Sequence, residues 1–231
     1  MEIRADWPFG FAQGRFFSRP PACAGEERNE DRLKISHHSH LAVVQTSADA
    51  LAWPACLTWR PTMQFEILRQ ELANGAQVIP GLLAGVTPAE ARRKPDPVNW
   101  SIVEVVCHLV DEEREDFRPR LDIMLHRPAD PWPKINPGGW VTERGYNDRD
   151  CAAMLDQWQA ERARSLDWLS GLAAPDWDRQ VTSPFGSMRP GDMLASWVAH
   201  DNLHQRQLVE LRRGRLLALA EPFDVQYAGD W

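Results

Sequence analysis

Apolar residues recur every three or four positions along most of the chain after residue 62, a spacing typical of helices that pack one face into a core. Four stretches carry this pattern and are predicted as helices: residues 63–83, 101–126, 148–172 and 190–214. A short turn is predicted at residues 88–92. Four helices joined by two longer connections predict an all-α protein that folds as a four-helix bundle.

Residues with strong positional preferences mark the ends of these helices. Ser101 followed by Glu104 forms a capping box, which gives the second helix a clear start. Pro119 is expected to bend this helix, and Pro80 is expected to kink or end the first one. The fourth helix is expected to end in a basic turn that closes at Gly214.

The two longer connections differ from the helices in composition. Residues 127–147 are rich in Pro, Gly and Trp, which predicts a long ordered loop, and loops of that length are uncommon and often functional. Trp140 in this loop is a candidate wall of a substrate pocket. Residues 175–189 are expected to form a second irregular crossing before the fourth helix.

The first 62 residues show no helical or strand period and predict a poorly ordered N-terminal extension. An alternative hypothesis is that translation begins at Met63 and that the upstream segment is a gene-model artefact, which an intact-mass measurement would decide. The predicted organisation is an extension over residues 1–62, a bundle over residues 63–215 and a C-terminal tail over residues 216–231.

Composition and charge narrow the functional classes. The 231 residues carry a formal net charge of −7 without a basic stripe, which argues against nucleic-acid binding. The sequence contains no run of about 18 apolar residues, so no membrane span is predicted. The four cysteines are widely spaced without a Cys-x-x-Cys pair, and residues 1–14 lack the apolar segment of a secretory signal. We therefore expect a cytoplasmic protein with a small-molecule substrate.

Three histidines are the candidate metal ligands. His200 and His204 lie four residues apart on the core-facing side of the fourth helix, so both rings can reach one metal ion. His108, inside the apolar stretch of the second helix, is the candidate third ligand. Glu104 and Glu112 lie one turn on either side of His108, and Glu112 is the candidate catalytic base or hydrogen-bond partner of a ligating histidine.

Less specific interpretations of the same residues stay open. A His-x-x-x-His pair also occurs in helices that bind no metal, and a single histidine such as His108 is often a packed core residue. The acidic run at residues 111–116 is interpreted mostly as a solvated face. Cys107 lies about 100° around the helix from His108, which favours packing over metal binding.

Two strings carry a resemblance to a known family. The string N-W-S-I-V-E-V-V-C-H-L-V-D at residues 99–111 resembles the W-S-x-x-E-x-x-x-H-L signature of the DinB superfamily. The string H-D-N-L-H-Q-R-Q-L at residues 200–208 resembles the H-x-x-x-H-x-x-Q-L signature of the same superfamily. The similarity covers about residues 63–215.

The resemblance implies a four-helix bundle with a three-histidine site for a divalent metal ion, often zinc or nickel, and frequently a homodimer. Matched by motif, the ligands are His108, His200 and His204. Members include metal-dependent hydrolases and enzymes that transfer low-molecular-weight thiols, such as bacillithiol transferases. We predict a metal-dependent enzyme that transfers such a thiol to a small electrophile. A hydrolase of an amide or ester and a non-catalytic metal-binding bundle of a stress response are the alternatives.

Overall fold

The computed structural model describes residues 61–229 and, among them, the side chains of residues 64–229. The predicted N-terminal extension lies outside the described residues, except for residues 61 and 62, which already belong to the first helix. The two interpretations of that extension therefore stay predictions.

The described residues form seven α-helices and one small hairpin. The helices are α1 (Pro61–Leu83), α2 (Pro88–Arg92), α3 (Ile102–Asp111), α4 (Arg118–His126), α5 (Pro137–Glu143), α6 (Cys151–Ser170) and α7 (Pro190–Ala220). A π-helical turn at Glu112–Phe117 joins α3 to α4, and 3-10 turns lie at Tyr146–Asp148 and Gln226–Ala228. Strands β1 (Val181–Ser183) and β2 (Gly186–Met188) pair antiparallel, with Val181 opposite Met188. No helix in this part of the chain is long and apolar enough to cross a membrane.

The predicted four-helix bundle is confirmed. Its members are α1, α6, α7 and the rod that α3 and α4 form together, and α1 and α3 each pack against both α6 and α7. The buried apolar residues fall into two clusters, one around Val106, Trp158 and Leu208 and the other around Leu121 and Trp197. Along the α3–α4 rod and along α7, a layer of polar side chains lies between these two clusters. That layer contains the candidate site.

Helix α1 ends at Leu83 as predicted and is not ended by Pro80, because its packing along α7 outweighs the one lost backbone hydrogen bond. One other predicted helix end and one predicted loop are wrong. Helix α7 continues through Gly214 to Ala220. Arg215, which follows the predicted stop, donates from Nε to Glu90 at 2.6 Å, and this tertiary contact holds α7 beyond Gly214. The connection over residues 127–147 is not a continuous loop, because it contains α5.

The π turn accommodates Pro119 and accounts for a wrong prediction about the acidic run, while the predicted bend at Pro119 stays a prediction. In a regular helix the ring of Pro119 would collide with the carbonyl of Glu115, and the widened turn before the proline relieves this collision. The wider turn also directs additional side chains inward. The acidic run was expected to be a solvated face, yet four of its members are at most 7% exposed: Asp111, Glu112, Glu113 and Asp116.

Candidate metal centre

The structure brings together three histidines from two helices. His108 lies on α3, and His200 and His204 lie one turn apart on α7. One ring nitrogen from each lies within 4.8 Å of the others. The Nε2 atom of His200 is 3.2 Å from that of His108 and 3.1 Å from that of His204. Three Nε2 atoms therefore point towards a common centre.

Burial keeps these imidazoles neutral. His108 and His204 are fully buried and His200 is 8% exposed. Burial lowers the pKa of His204 to about 4, although the hydrogen bond to Gln207 opposes this shift. Burial and the two other histidines lower the pKa of His108 well below 6.5, and burial, His204 and Arg162 do the same for the pKa of His200. At neutral pH each ring therefore carries one unprotonated nitrogen, which is the form that binds a metal.

Gln207 determines which nitrogen of His204 is free. The Nδ1 atom of His204 lies 2.8 Å from the side-chain oxygen of Gln207, which can only accept a hydrogen bond. Nδ1 therefore carries the proton, and Nε2 presents its lone pair to the centre. The sequence analysis gave Gln207 no role, although it belongs to the second family string and follows His204 by three residues.

The two candidate carboxylates have different surroundings. Glu112 Oε1 lies 3.6 Å from His108 Nδ1, on the edge of the ring that faces away from Nε2, and neither atom has a hydrogen-bond partner among the described residues. Burial and the neighbouring Asp116 raise the pKa of Glu112 to about 9. Glu104 accepts from the backbone N–H of Ser101 at 2.7 Å and pairs with Lys94 at 2.9 Å. Glu104 thus closes the predicted capping box, whereas Glu112 lies against a candidate ligand.

Aromatic rings enclose the three histidines. The ring of Trp100 lies 4.9 Å from the ring of His108, and the ring of Phe117 lies 5.0 Å from the ring of His200. Both aromatic residues are at least 92% buried. Trp140, the candidate pocket wall, packs in the apolar core with the guanidinium of Arg144 3.9 Å from its ring. The role of Trp140 as a pocket wall stays a prediction.

Sequence reasoning missed the two aromatic neighbours for different reasons. Trp100 directly precedes the helix cap Ser101 inside the first family string, so a signal for it was present. Phe117 faces His200 because the π turn changes the helical register, and regular helical periodicity cannot anticipate that change.

A buried ion network holds α7 beside the site. The guanidinium of Arg162 donates to both carboxylate oxygens of Asp201, at 2.5 and 2.9 Å, and its Nε donates to Glu113 at 2.6 Å. Trp197 Nε1 and Ser165 also donate to Glu113. Because these partners come from α6, α7 and the π turn, the network fixes the position of α7 at His200.

The arrangement fits a divalent metal ion. Two imidazole nitrogens bound to one tetrahedral zinc ion at about 2.0–2.1 Å lie roughly 3.3 Å apart. The two Nε2 separations of 3.1 and 3.2 Å are close to this value. Lone pairs brought this close repel one another unless a proton or a cation lies between them, so the donor set is suited to a metal ion.

Comparisons with known proteins agree with this fold. A family model described as the DinB superfamily matches residues 71–208. The solved structure of YfiT from Bacillus subtilis is similar with a TM-score of 0.60 and 16% sequence identity, over 71% of this chain and 93% of that one. YfiT is described as a probable metal-dependent hydrolase with an unusual four-helix bundle topology. At this identity the likeness shows the fold alone. No curated protein matches the sequence.

Proposed function

Because the chain belongs to the DinB superfamily, we propose that it binds one divalent metal ion through His108, His200 and His204 and is a metal-dependent enzyme acting on a small molecule. The observation that carries the proposal is the convergence of three neutral Nε2 atoms inside the bundle. Imidazole nitrogen suits zinc and nickel, which are the ions we expect.

The residues around the histidines support this role. When bound, an ion held by three imidazoles keeps an open coordination position, where it supplies a Lewis acid that activates water or holds a thiol as thiolate. Gln207 fixes the proton of His204, and a carboxyl oxygen of Glu112 lies 3.6 Å from Nδ1 of His108, where a small shift would let it accept a hydrogen bond. Trp100 and Phe117 exclude water from the sides of the ring cluster.

The position of Glu112 favours thiol transfer over hydrolysis. The cluster found among the described residues contains three imidazoles and no carboxylate. Glu112 lies at Nδ1 of His108, on the opposite edge of the ring from Nε2, which points to the centre of the cluster. Water and thiol must both lose a proton to become the nucleophile, but a thiol has a pKa of about 8.5 and water one of about 15.7, so thiol transfer depends less on a protein base. The geometry thus supports transfer of a low-molecular-weight thiol: its S–H proton is released to solvent, its sulfur bonds to the electrophilic carbon, and the leaving group departs with the electron pair of the broken bond.

Besides thiol transfer, the first candidate, two other functions remain for this site. Hydrolysis of an amide or ester is the second, because the structural relative YfiT is described as a probable metal-dependent hydrolase. A non-catalytic metal-binding bundle is the third, and it requires a metal ion whose coordination is fully saturated.

Metal analysis followed by an activity screen tests these alternatives. Elemental analysis of the purified protein should find about one ion per chain, and His200→Ala should abolish it. Metal-loaded protein is then incubated with electrophiles and several cellular thiols, and separately with an ester panel without thiol, and products are read by mass spectrometry. Adducts that form only with thiol, metal and intact His200 support transfer, whereas ester cleavage without thiol supports hydrolysis. Wild-type protein that retains no metal would refute the whole proposal.

A further inference from the structure

Three polar side chains continue from His108 along the rod formed by α3, the π turn and α4. They follow at intervals of four residues, at positions 112, 116 and 120. Glu112, Asp116 and Arg120 are 4, 7 and 8% exposed, so the row is buried over its whole length. Residues four apart lie above one another on a helix, and each member can therefore contact the next.

The contacts along this row are continuous. Glu112 Oε1 lies 3.6 Å from His108 Nδ1, and the carboxyl group of Asp116, one helical turn further on, is close enough to raise the pKa of Glu112. Arg120 Nη1 lies 2.6 Å from Asp116 Oδ1. The other end of the guanidinium, Nη2, donates to the carbonyl oxygen of Pro133 at 3.3 Å. The row thus links the ring of His108 to the connection that follows α4.

Trp132 fixes the far end of the row. The guanidinium carbon of Arg120 lies 5.0 Å from the centre of the Trp132 ring, in a cation–π contact. Together with Pro133, this contact restricts the guanidinium on two sides. A restrained Arg120 in turn restrains the carboxylate of Asp116.

The row differs from the other buried ion network in what it connects. Arg162 joins Glu113 of the π turn to Asp201 of α7, so that network ties separate elements together. Glu112, Asp116 and Arg120 all belong to one continuous rod. Burying two carboxyl groups and a guanidinium costs several kcal/mol unless they are well paired, and apolar residues would pack the rod at lower cost. Arg120 also contacts Pro133 and Trp132, which accounts for its own burial, but those contacts give no reason for the two carboxyl groups that continue the row to His108.

We propose that Asp116 and Arg120 are positioning residues for the metal centre, which act through Glu112 on the orientation of the His108 ring. The proposal rests on the metal site put forward above. In this arrangement Asp116 and Arg120 hold the Glu112 carboxyl group against Nδ1, so that Nε2 keeps its direction towards the ion. Partners of ligating histidines typically change metal affinity 10–100-fold when they are removed.

Asp116→Asn is the principal test, because asparagine keeps the shape and loses the charge. The protein is loaded with cobalt(II), whose visible absorption reports coordination geometry, and its affinity is measured by competition with a chelator. We expect Asp116→Asn to weaken cobalt binding about 10-fold and to change the absorption bands. Glu112→Gln should weaken it at least as much. The double variant should be no weaker than Glu112→Gln alone, because Asp116 acts only through Glu112.

Arg118→Met is a matched control on the same rod. Arg118 pairs with Glu161 of α6 at 2.7 Å and has no part in the row, so its loss also breaks a partly buried ion pair. We expect Arg118→Met to lower the melting temperature while leaving the cobalt spectrum and affinity unchanged. Should Asp116→Asn fail to fold, Arg120→Lys is read in the same way, because lysine keeps the charge but loses the planar fork.

The outcomes separate this inference from the proposed function. If the wild-type protein binds no cobalt, both the proposed metal site and the positioning role of Asp116 and Arg120 are wrong. Wild-type binding together with an Asp116→Asn variant of unchanged affinity and spectrum overturns the inference alone. Additive losses in the double variant overturn it as well, because they show that Asp116 does not act through Glu112.

Discussion

Gln207 illustrates how one side chain fixes the chemistry of its neighbour. Its amide oxygen accepts a hydrogen bond from Nδ1 of His204 at 2.8 Å, which keeps the proton on Nδ1 and leaves Nε2 free for a metal ion. We expect Gln207→Leu to weaken metal binding about 10–100-fold, because leucine cannot accept a hydrogen bond from Nδ1 of His204 and so cannot fix the orientation of that ring. Chelator competition measures this loss. Asn202→Ala on the exposed side of α7 is the control and should bind metal as the wild type does.

The depressed pKa values of the histidines predict an unusual pH dependence of metal binding. Three ordinary imidazoles of pKa about 6.5 would lose roughly 60-fold in metal affinity between pH 8 and pH 6, because protons compete for each nitrogen. The pKa of His204 is about 4, and those of His108 and His200 are also well below 6.5. A lowered pKa keeps the ring neutral as the pH falls through 6.5, so protons compete only as the pH approaches 4.

We therefore expect the metal affinity to change less than about twofold between pH 8 and pH 6 and to fall below pH 5. Competition with a chelator of known protonation constants, repeated across this range, provides the measurement. A steep decline centred near pH 6.5 would show that the rings titrate as exposed histidines do, and would contradict the burial on which the site depends.

At the scale of elements, regular periodicity predicted α3 and α7 well and failed where the backbone departs from the α-helix. The capping box at Ser101 and the spacing of His200 and His204 are local, so the sequence was sufficient to predict them. The burial of Glu112 and the approach of Phe117 to His200 follow from the π turn. A π turn depends on Pro119 and on packing with other helices, which a single helical period does not encode.

The close approach of α1 to the ion network gives a test at the element scale. A Cβ atom added at Gly75 would lie 2.9 Å from Asp201 Oδ2, whereas nothing lies within 4 Å of one added at Gly81. Asp201 cannot easily yield, because Arg162 holds both of its oxygens. We expect Gly75→Ala to lower the free energy of unfolding by about 1–3 kcal/mol.

Gly81→Ala is the matched substitution in the same helix. It should raise the free energy of unfolding by about 0.5–1 kcal/mol, because alanine favours the helix and meets no neighbour. Urea unfolding of both variants measures the difference. Equal effects of the two substitutions would show that α1 does not approach Asp201 as closely as the structure places it.

At the scale of the whole molecule, the two family strings at residues 99–111 and 200–208 predicted the fold correctly, although some individual helix boundaries were wrong. Helix α7 extends to Ala220 and α5 interrupts the predicted loop, yet the bundle and the convergence of three histidines are unaffected. A bundle tolerates changes in connection length, because its core depends on apolar faces that are already present in each helix. The meeting of His108 with α7 was proposed from its place in the apolar stretch of a second helix and supported by the family resemblance, since spacing within one helix cannot bring two helices together.

Metal binding inside the bundle should stabilise the whole molecule. An ion that binds only the folded state, at a free concentration of about 1,000 times its dissociation constant, adds roughly 4 kcal/mol. For a chain of this size 1 kcal/mol corresponds to about 2–4 °C, so zinc or nickel should raise the melting temperature by about 8–16 °C. His200→Ala should remove most of this rise. His126 lies at the exposed end of α4 beside Asp122, and His126→Ala should therefore preserve the rise. If both variants lost the metal-induced rise in melting temperature equally, the ion would be binding at exposed histidines and not at the buried site, since only His200 faces the interior.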